Sequence, residues 1–290
     1  MILVDLLQQS PGYFFIILTI VGLVVGSFLN VVIHRLPLML KKRWHEDSTE
    51  FLFPEKNCTK SEPYNLAIPS SCCPSCKHKI TLWENIPVIS YLCLKARCSS
   101  CNIIISWRYP AVECLSAIIT VLIGWKFGVT METLAYSLLA WCLLTLSMID
   151  FDTQLLPDSI TLPLIWSGLI FNSFNPGLSL NDSLFGAVFG YLVLWSVHWL
   201  FKLITGKDGM GYGDFKLLAA LGAWLGWTML PLIIFLSSAV GTLAALVLIA
   251  LKLHNRSKPI PFGPYLSMAG FIALLWGDQL FRMYFQFMGI

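Results

Sequence analysis

Charged residues are scarce in this sequence, at 12% of 290 residues, whereas hydrophobic residues make up 57%. Soluble globular domains carry roughly 25% charged residues, so the composition excludes one. Runs of about 20 apolar residues can cross a hydrocarbon layer about 30 Å thick as helices. The sequence therefore predicts an all-α polytopic membrane protein with about eight transmembrane helices. They are expected at residues 11–33, 104–125, 131–149, 160–175, 180–204, 215–229, 231–252 and 264–286.

Basic residues are absent from residues 1–10, and no small-residue cleavage pattern follows the first apolar run. We therefore interpret that run as a retained helix and not as a signal peptide. Residues 34–110 carry eleven Lys and Arg residues, while 171–183 and 226–231 carry none. Because basic loops stay in the cytoplasm, both termini are predicted to lie outside it. The same bias accounts for the net charge of +3, so no nucleic-acid partner is expected.

The chain is predicted to have three parts: a first helix at 1–33, a cytoplasmic loop at 34–103 and a helical bundle at 104–290. The loop contains "CCPSC" and "CSSC". Paired CxxC units at this separation are typical of a zinc site with four thiolate ligands, and the alternative is two chance pairs. We predict a closed, structural zinc site that staples the loop between helices 1 and 2, with Cys72 as a possible replacement for Cys73. Its ligands are expected to be Cys73, Cys76, Cys98 and Cys101.

Two aspartates are the candidate catalytic residues. Asp150 ends the third apolar run, and Asp214 closes the glycine-rich stretch "GKDGMGYGD". The predicted topology brings both to the cytoplasmic face, although each alone has an alternative role as an interfacial acid. Ionisable groups at membrane depth cost about 3 kcal/mol or more, which makes them functional candidates. As a pair, one carboxylate can activate water while the other protonates a scissile carbonyl; the sequence does not assign the two roles.

The glycine-rich stretch lacks the features of a phosphate-binding loop, since no strand precedes it and no GK[ST] follows. Gly209, Gly211 and Gly213 are instead expected to allow positive φ and close backbone approach beside Asp214. Asp158, which follows a proline, is predicted to cap the next helix.

Several motifs resemble those of the type IV prepilin peptidases, which belong to the GxGD aspartyl protease class. The resemblance covers almost the whole chain and is based on "GSFLNVVIHRLP", "CPSC", "WENIPVISYL", "CSSC", "ISWRYPAVE", "IDFDTQLLPDSITLPLIWSGL", "GKDGMGYGDFKLLAALGAWLGW" and "IPFGPYL". Carried over by position, the two family aspartates are Asp150 and Asp214. Ala96 replaces the glycine that is common in the family.

The resemblance implies a bifunctional enzyme of the bacterial inner membrane with its active site facing the cytoplasm. Such enzymes cut the basic leader of prepilins and pseudopilins after a glycine. They then methylate the new N-terminal amine with S-adenosylmethionine. No Rossmann glycine fingerprint is present, so the cofactor residues stay unassigned. Residues 26–35 and 84–85 are candidate regions only through the resemblance and their location.

Two alternative functions fit part of this pattern. A transporter or cation carrier with a regulatory zinc loop would place its carboxylates near the bilayer midplane, usually within an inverted repeat. This sequence shows no repeat, and its two aspartates are predicted at one face. A silent assembly scaffold would have no need of two costly carboxylates. The sequence thus favours the peptidase and methyltransferase.

Overall fold

A computed structural model describes residues 7–52, 64–81, 83–251 and 260–288, so residues 53–63 of the predicted loop lie outside the described part. The all-α prediction is confirmed: extended pairing within these ranges is limited to two isolated bridges. One-turn 3-10 helices occur at Trp83–Asn85 and Trp227–Met229. The α-helices are α1 (Pro11–Leu52), α2 (Ile89–Cys93), α3 (Arg108–Phe127), α4 (Met131–Thr153), α5 (Asp158–Phe174), α6 (Leu180–Thr205), α7 (Tyr212–Leu225), α8 (Leu230–Ala250) and α9 (Gly263–Met288).

Every predicted apolar run coincides with one of these helices. Within the described residues, five helical segments are long and apolar enough to cross a membrane, namely α1, α3, α4, α6 and Trp227–Ala250. This set fits a multi-pass membrane protein. Helices α5 and α7, with 17 and 14 residues, are shorter than the about 20 residues that a span normally uses. Helix α1 continues to Leu52, beyond residue 33 where the first apolar run ends.

The chain divides into two compact units, Met1–Trp141 and Cys142–Ile290. In the first unit, two glycines one turn apart let α1 approach α3 closely. A Cβ atom on Gly22 would lie 2.5 Å from Cα of Ala117, and one on Gly26 would lie 2.7 Å from Cα of Glu113. Small residues at this spacing allow helix backbones to touch in a membrane.

The core of the second unit is α7, which packs against α5, α6 and α9. Phe215, Leu218 and Leu221 are fully buried although α7 is short. Gly186 of α6 and Gly222 of α7 face each other directly, and a Cβ on either would overlap the other's carbonyl group. Because neither glycine carries a side chain, the two helix backbones come into contact.

Helices α5 and α7 lie side by side over matching depths. At one end, Leu156, just before α5, touches Gly213 at the start of α7. At the other end, Nδ2 of Asn172 donates to the carbonyl of Ala223 at 2.8 Å. The first residues of α5 and α7 are therefore at one level, and their last residues are at another.

Candidate active site and metal centre

Asp150 lies in the last turn of α4 and is only 5% exposed. The backbone N–H of Gly263, at the start of α9, donates to Oδ2 of Asp150 at 2.9 Å. A Cβ on Gly263 would lie 2.6 Å from that same oxygen. A larger residue would displace either the carboxylate or the helix end, so the contact requires glycine.

Asp214 lies in the first turn of α7 and is 7% exposed. Gly211 precedes the helix in an extended conformation, and its carbonyl accepts the N–H of Asp214 at 3.2 Å. Leu156 contacts both Gly213, the neighbour of Asp214, and Gly263, whose N–H binds Asp150, which places the two carboxylates in one neighbourhood. The structure thus brings both predicted residues together, each buried.

Leu156 fixes the spacing of three chain segments around this pair. Its side chain lies against Gly213, where a Cβ would come within 2.7 Å, and against Gly263, where the distance would be 3.3 Å. The end of α4, the start of α7 and the start of α9 therefore converge at one point. Such convergence holds the carboxylates on helix ends instead of on a mobile loop, which favours a fixed geometry.

The glycines of the GxGD stretch serve packing more than unusual backbone angles. Gly209 lies against Phe201 of α6, where a Cβ would be 2.6 Å from the ring. Neither Gly209 nor Gly211 nor Gly213 has a positive φ, and that conformation occurs instead at Gly206, which ends α6. The expectation of positive φ at these three residues is wrong, and close approach of a peptide beside Asp214 stays a prediction.

The other acids near the pair are exposed. Asp158 is the first residue of α5 and not its cap, since Pro157 holds the capping position; that prediction was wrong. Its carboxylate instead accepts two hydrogen bonds from Nζ of Lys216, at 2.7 and 2.8 Å. This ion pair joins α5 to α7 beside the active site.

The four predicted cysteines of the first unit form one cluster. The Sγ atoms of Cys73, Cys76, Cys98 and Cys101 all lie within 4.8 Å of one another. Each CxxC turn is closed in the same way. The N–H of Lys77 donates to the backbone carbonyl of Cys73, and the N–H of Asn102 donates to that of Cys98, both at 3.0 Å. Lys77 and Asn102 have positive φ, at 58° and 57°. The two turns are thus structural repeats, each directing two sulfurs to a common centre.

The first turn also favours thiolate. Backbone N–H groups of Cys76 and Ser75 donate to the Cys73 sulfur and lower the pKa of that thiol to about 6. Ionised thiols are the form that binds metal. Four sulfurs at these separations suit a tetrahedral metal ion, and Cys72, which is exposed, is not part of the cluster.

The carboxylate of Glu84 stabilises the second CxxC turn in this unit. Its carboxylate accepts hydrogen bonds from Thr81, at 2.8 Å from the backbone N–H, and from the hydroxyl of Ser99 between the second pair of cysteines. The Ser99 hydrogen bond is the main reason that the pKa of Glu84 is lowered to about 2. Glu84 therefore stays ionised and ties the Trp83–Asn85 turn to the second CxxC turn.

Two family models match the chain. Residues 20–127 match the bacterial peptidase A24 N-terminal domain, and residues 137–246, which include Asp150 and Asp214, match the type IV leader peptidase family. The chain belongs to the type IV leader peptidase family. It is 55% identical to a prepilin leader peptidase/N-methyltransferase of Pseudomonas aeruginosa over 99% of both chains. It is 52% identical to the protein of the same name from Aeromonas hydrophila over 98% of both chains. No solved structure matches.

Two site features of this leader peptidase family member were not identified from the sequence. One is Gly263, whose N–H binds Asp150; "FGP" at a helix start is the local signal, because glycine there permits close approach and proline suits the first turn. The other is Leu156, which gives no sequence signal of its own. Its role depends on which glycines it meets in the folded chain.

Proposed function

We propose that this chain removes the leader peptide of type IV prepilins and pseudopilins and then methylates the new N-terminal amine. The observation that carries the proposal is the buried pair Asp150 and Asp214, within the segment that matches the type IV leader peptidase family. Relatives with about half their residues identical are named prepilin leader peptidase/N-methyltransferase. The transporter alternative is not favoured by any of these matches.

The aspartate pair is proposed to cleave the peptide bond by general acid–base catalysis. Two buried carboxylates close together do not both ionise readily, so the pair shares one proton. The ionised member removes a proton from a water molecule as it attacks the carbonyl carbon. The protonated member donates its proton to the carbonyl oxygen, which gives a tetrahedral diol. The carboxyl group that took the proton from water then protonates the peptide nitrogen, and the C–N bond breaks. The other carboxylate takes a proton from the diol as the new carboxyl group forms, so that the pair again holds one proton. We do not divide these roles between Asp150 and Asp214, since such a pair titrates as a unit.

Eight membrane crossings are proposed, in spite of the short α5 and α7. Asp150, at the end of α4, and Asp214, after the end of α6, belong to the same site. Helices α4 and α6 must therefore end at the same face, and α5 must cross the membrane between them. Gly263, which follows α8, also reaches this face. Helix α7 must then cross as well, and α9 leads away from the site.

The site is proposed to face the cytoplasm from the bacterial inner membrane, with both termini periplasmic. Support comes from the basic residues of 34–110 and from their absence in 171–183 and 226–231. A prepilin has a hydrophobic helix in the bilayer and a basic leader in the cytoplasm. Its cleavage site therefore lies at the membrane boundary, at the depth proposed for Asp150 and Asp214.

Zinc is the metal proposed for Cys73, Cys76, Cys98 and Cys101, as a structural ion. Methyl transfer is proposed for the first unit, outside the segment that holds the aspartates. Arg35 and Glu113 are buried there on α1 and α3. Both are already engaged, since Nη1 of Arg35 donates to the carbonyl of Asn65 at 3.0 Å and Oε2 of Glu113 accepts from the N–H of Val88 at 2.8 Å. S-adenosylmethionine supplies the methyl group when bound, and the residues that hold it stay unassigned.

The test is cleavage of a purified prepilin by the detergent-solubilised chain and by its variants Asp150→Asn and Asp214→Asn. Asp278→Asn, which changes an exposed aspartate of α9, is the matched control. Each sample is also given pre-cut pilin and S-adenosylmethionine, so that methylation reports the integrity of the chain. We expect the two site variants to lose cleavage and keep methylation. Cleavage by either variant at the wild-type rate contradicts the two-aspartate mechanism.

A further inference from the structure

His198 of α6 is buried without an obvious reason. It is 2% exposed, and neither ring nitrogen has a hydrogen-bond partner within the described part of the chain. A buried polar group without a partner costs free energy. Its neighbours are the rings of Tyr212 and Phe215, at centroid distances of 5.5 and 5.6 Å. These two residues flank Asp214, so His198 packs directly against the segment that carries a proposed catalytic residue.

Among the residues that the structure describes, the acid that approaches the imidazole comes from the connection between α6 and α7. Nε2 of His198 lies 3.7 Å from Oδ1 of Asp208, and Nζ of Lys202 lies 2.7 Å from the same oxygen. His198 and Lys202 are four residues apart on α6 and therefore share a face. The Lys202 hydrogen bond lowers the pKa of Asp208, which keeps that carboxylate ionised.

The connection itself lies against α6. Gly206 ends the helix with φ of 70° and turns the chain back. Gly209 then packs on the ring of Phe201, where a Cβ would clash at 2.6 Å. Asp208 stands between these two contacts. Its position on the two α6 side chains sets the path by which the chain reaches Tyr212 and Asp214.

We propose that His198 is a positioning residue for peptide cleavage, forming with Lys202 and Asp208 a latch that fixes residues 206–211 and thereby the carboxylate of Asp214. The inference rests on the proposed role of Asp214. A movement of roughly 0.5 Å would bring Nε2 and Oδ1 within hydrogen-bond distance. The latch can thus tighten when a peptide binds beside the connection. Release of Asp208 would free the connection and let Tyr212 and Asp214 shift.

The test measures kcat and KM for prepilin cleavage by His198→Phe, Asp208→Ala and the double variant. His198→Phe keeps a ring among its aromatic neighbours and removes both nitrogens. Asp208→Ala removes both carboxylate oxygens of an exposed side chain, so it opens the latch without endangering folding. Controls are His45→Phe and Asp278→Asn, which change exposed residues elsewhere. Methylation of pre-cut pilin shows that each variant is intact.

Each single variant should lower kcat about tenfold, since small misplacements of catalytic groups are costly, with KM little changed. The double variant should fall no further, because both changes open the same latch. Asp208→Glu, which keeps the charge, should recover most of the rate. The proposal is overturned if the single variants cleave normally, or if their effects multiply in the double variant. Cleavage by Asp214→Asn would instead show that the catalytic assignment beneath it is wrong.

Discussion

At the scale of single residues, two neighbouring thiols have different surroundings. The N–H of Cys73 donates to the carbonyl of His78 at 2.9 Å, and its sulfur lies 3.7 Å from that of Cys101. Cys72 pairs its backbone with Lys79 and its side chain is exposed. Successive side chains of an extended chain point to opposite sides. Only one of the two thiols, Cys72 or Cys73, can therefore face the second CxxC turn.

This difference gives a prediction about metal content. The zinc content of the purified chain can be measured by inductively coupled plasma mass spectrometry. It should fall from about one ion per chain to near zero in Cys73→Ser, because a structural site needs four ligands. Cys72→Ser is the matched control and should keep its zinc. Loss of zinc from Cys72→Ser with retention by Cys73→Ser would mean that the first CxxC turn uses the other register.

At the scale of secondary structure, the proposed active site lies where three helix ends meet. The ends of α4 and α7 that carry aspartates are evident from the sequence, because acids interrupt apolar runs there. The third end, at Gly263 of α9, carries no ionisable side chain. Its contribution is a backbone N–H at 2.9 Å from Asp150, and any non-proline residue has that group. The contribution of Gly263 is therefore identified from the fold and not from the sequence.

Replacement of Gly263 should therefore impair cleavage selectively. In Gly263→Ala the new methyl group would lie 2.6 Å from Oδ2 of Asp150, so the carboxylate or the start of α9 must move. We expect cleavage to fall on the order of 100-fold, the effect of about 1 Å of misplacement, while methylation of pre-cut pilin persists. Gly12→Ala is a suitable control, since a Cβ there meets nothing within 4 Å. Wild-type cleavage by Gly263→Ala would show that this contact does not position Asp150.

At the scale of the whole molecule, the two aspartates can share a site only if both lie at the same membrane face. Whether they do depends on how many helices cross the membrane. Helix α7 has 14 residues, which is roughly 21 Å at 1.5 Å per residue. It is therefore shorter than an apolar segment of normal membrane-spanning length. If only the five long segments crossed, residues 154 and 206 would lie on opposite faces. Leu156 contacts Gly213, and the eight proposed crossings place both residues at one face.

A set of fusions to alkaline phosphatase, which is active only in the periplasm, tests this topology. Fusions after Gly128, Gly177 and Gly226 should be active, and a fusion after Met210 should be inactive. The fusion after Gly177 is decisive, because five crossings would leave it in the cytoplasm and eight place it in the periplasm. Low activity there, with normal expression, would contradict a crossing by α5.

The sequence alone determined the membrane class, the helices, the two aspartates and the four clustered cysteines. These features follow from composition, periodicity and short-range spacing, which are properties of the local sequence. The tertiary structure decided the partner of Asp150, the use of Gly209 and Gly213 for packing, the pairing of Asp158 with Lys216, and the burial of His198 beside Asp208. Each of these joins segments that are distant along the chain or separated by a turn. Backbone groups and small residues gain such roles only from what the fold places against them.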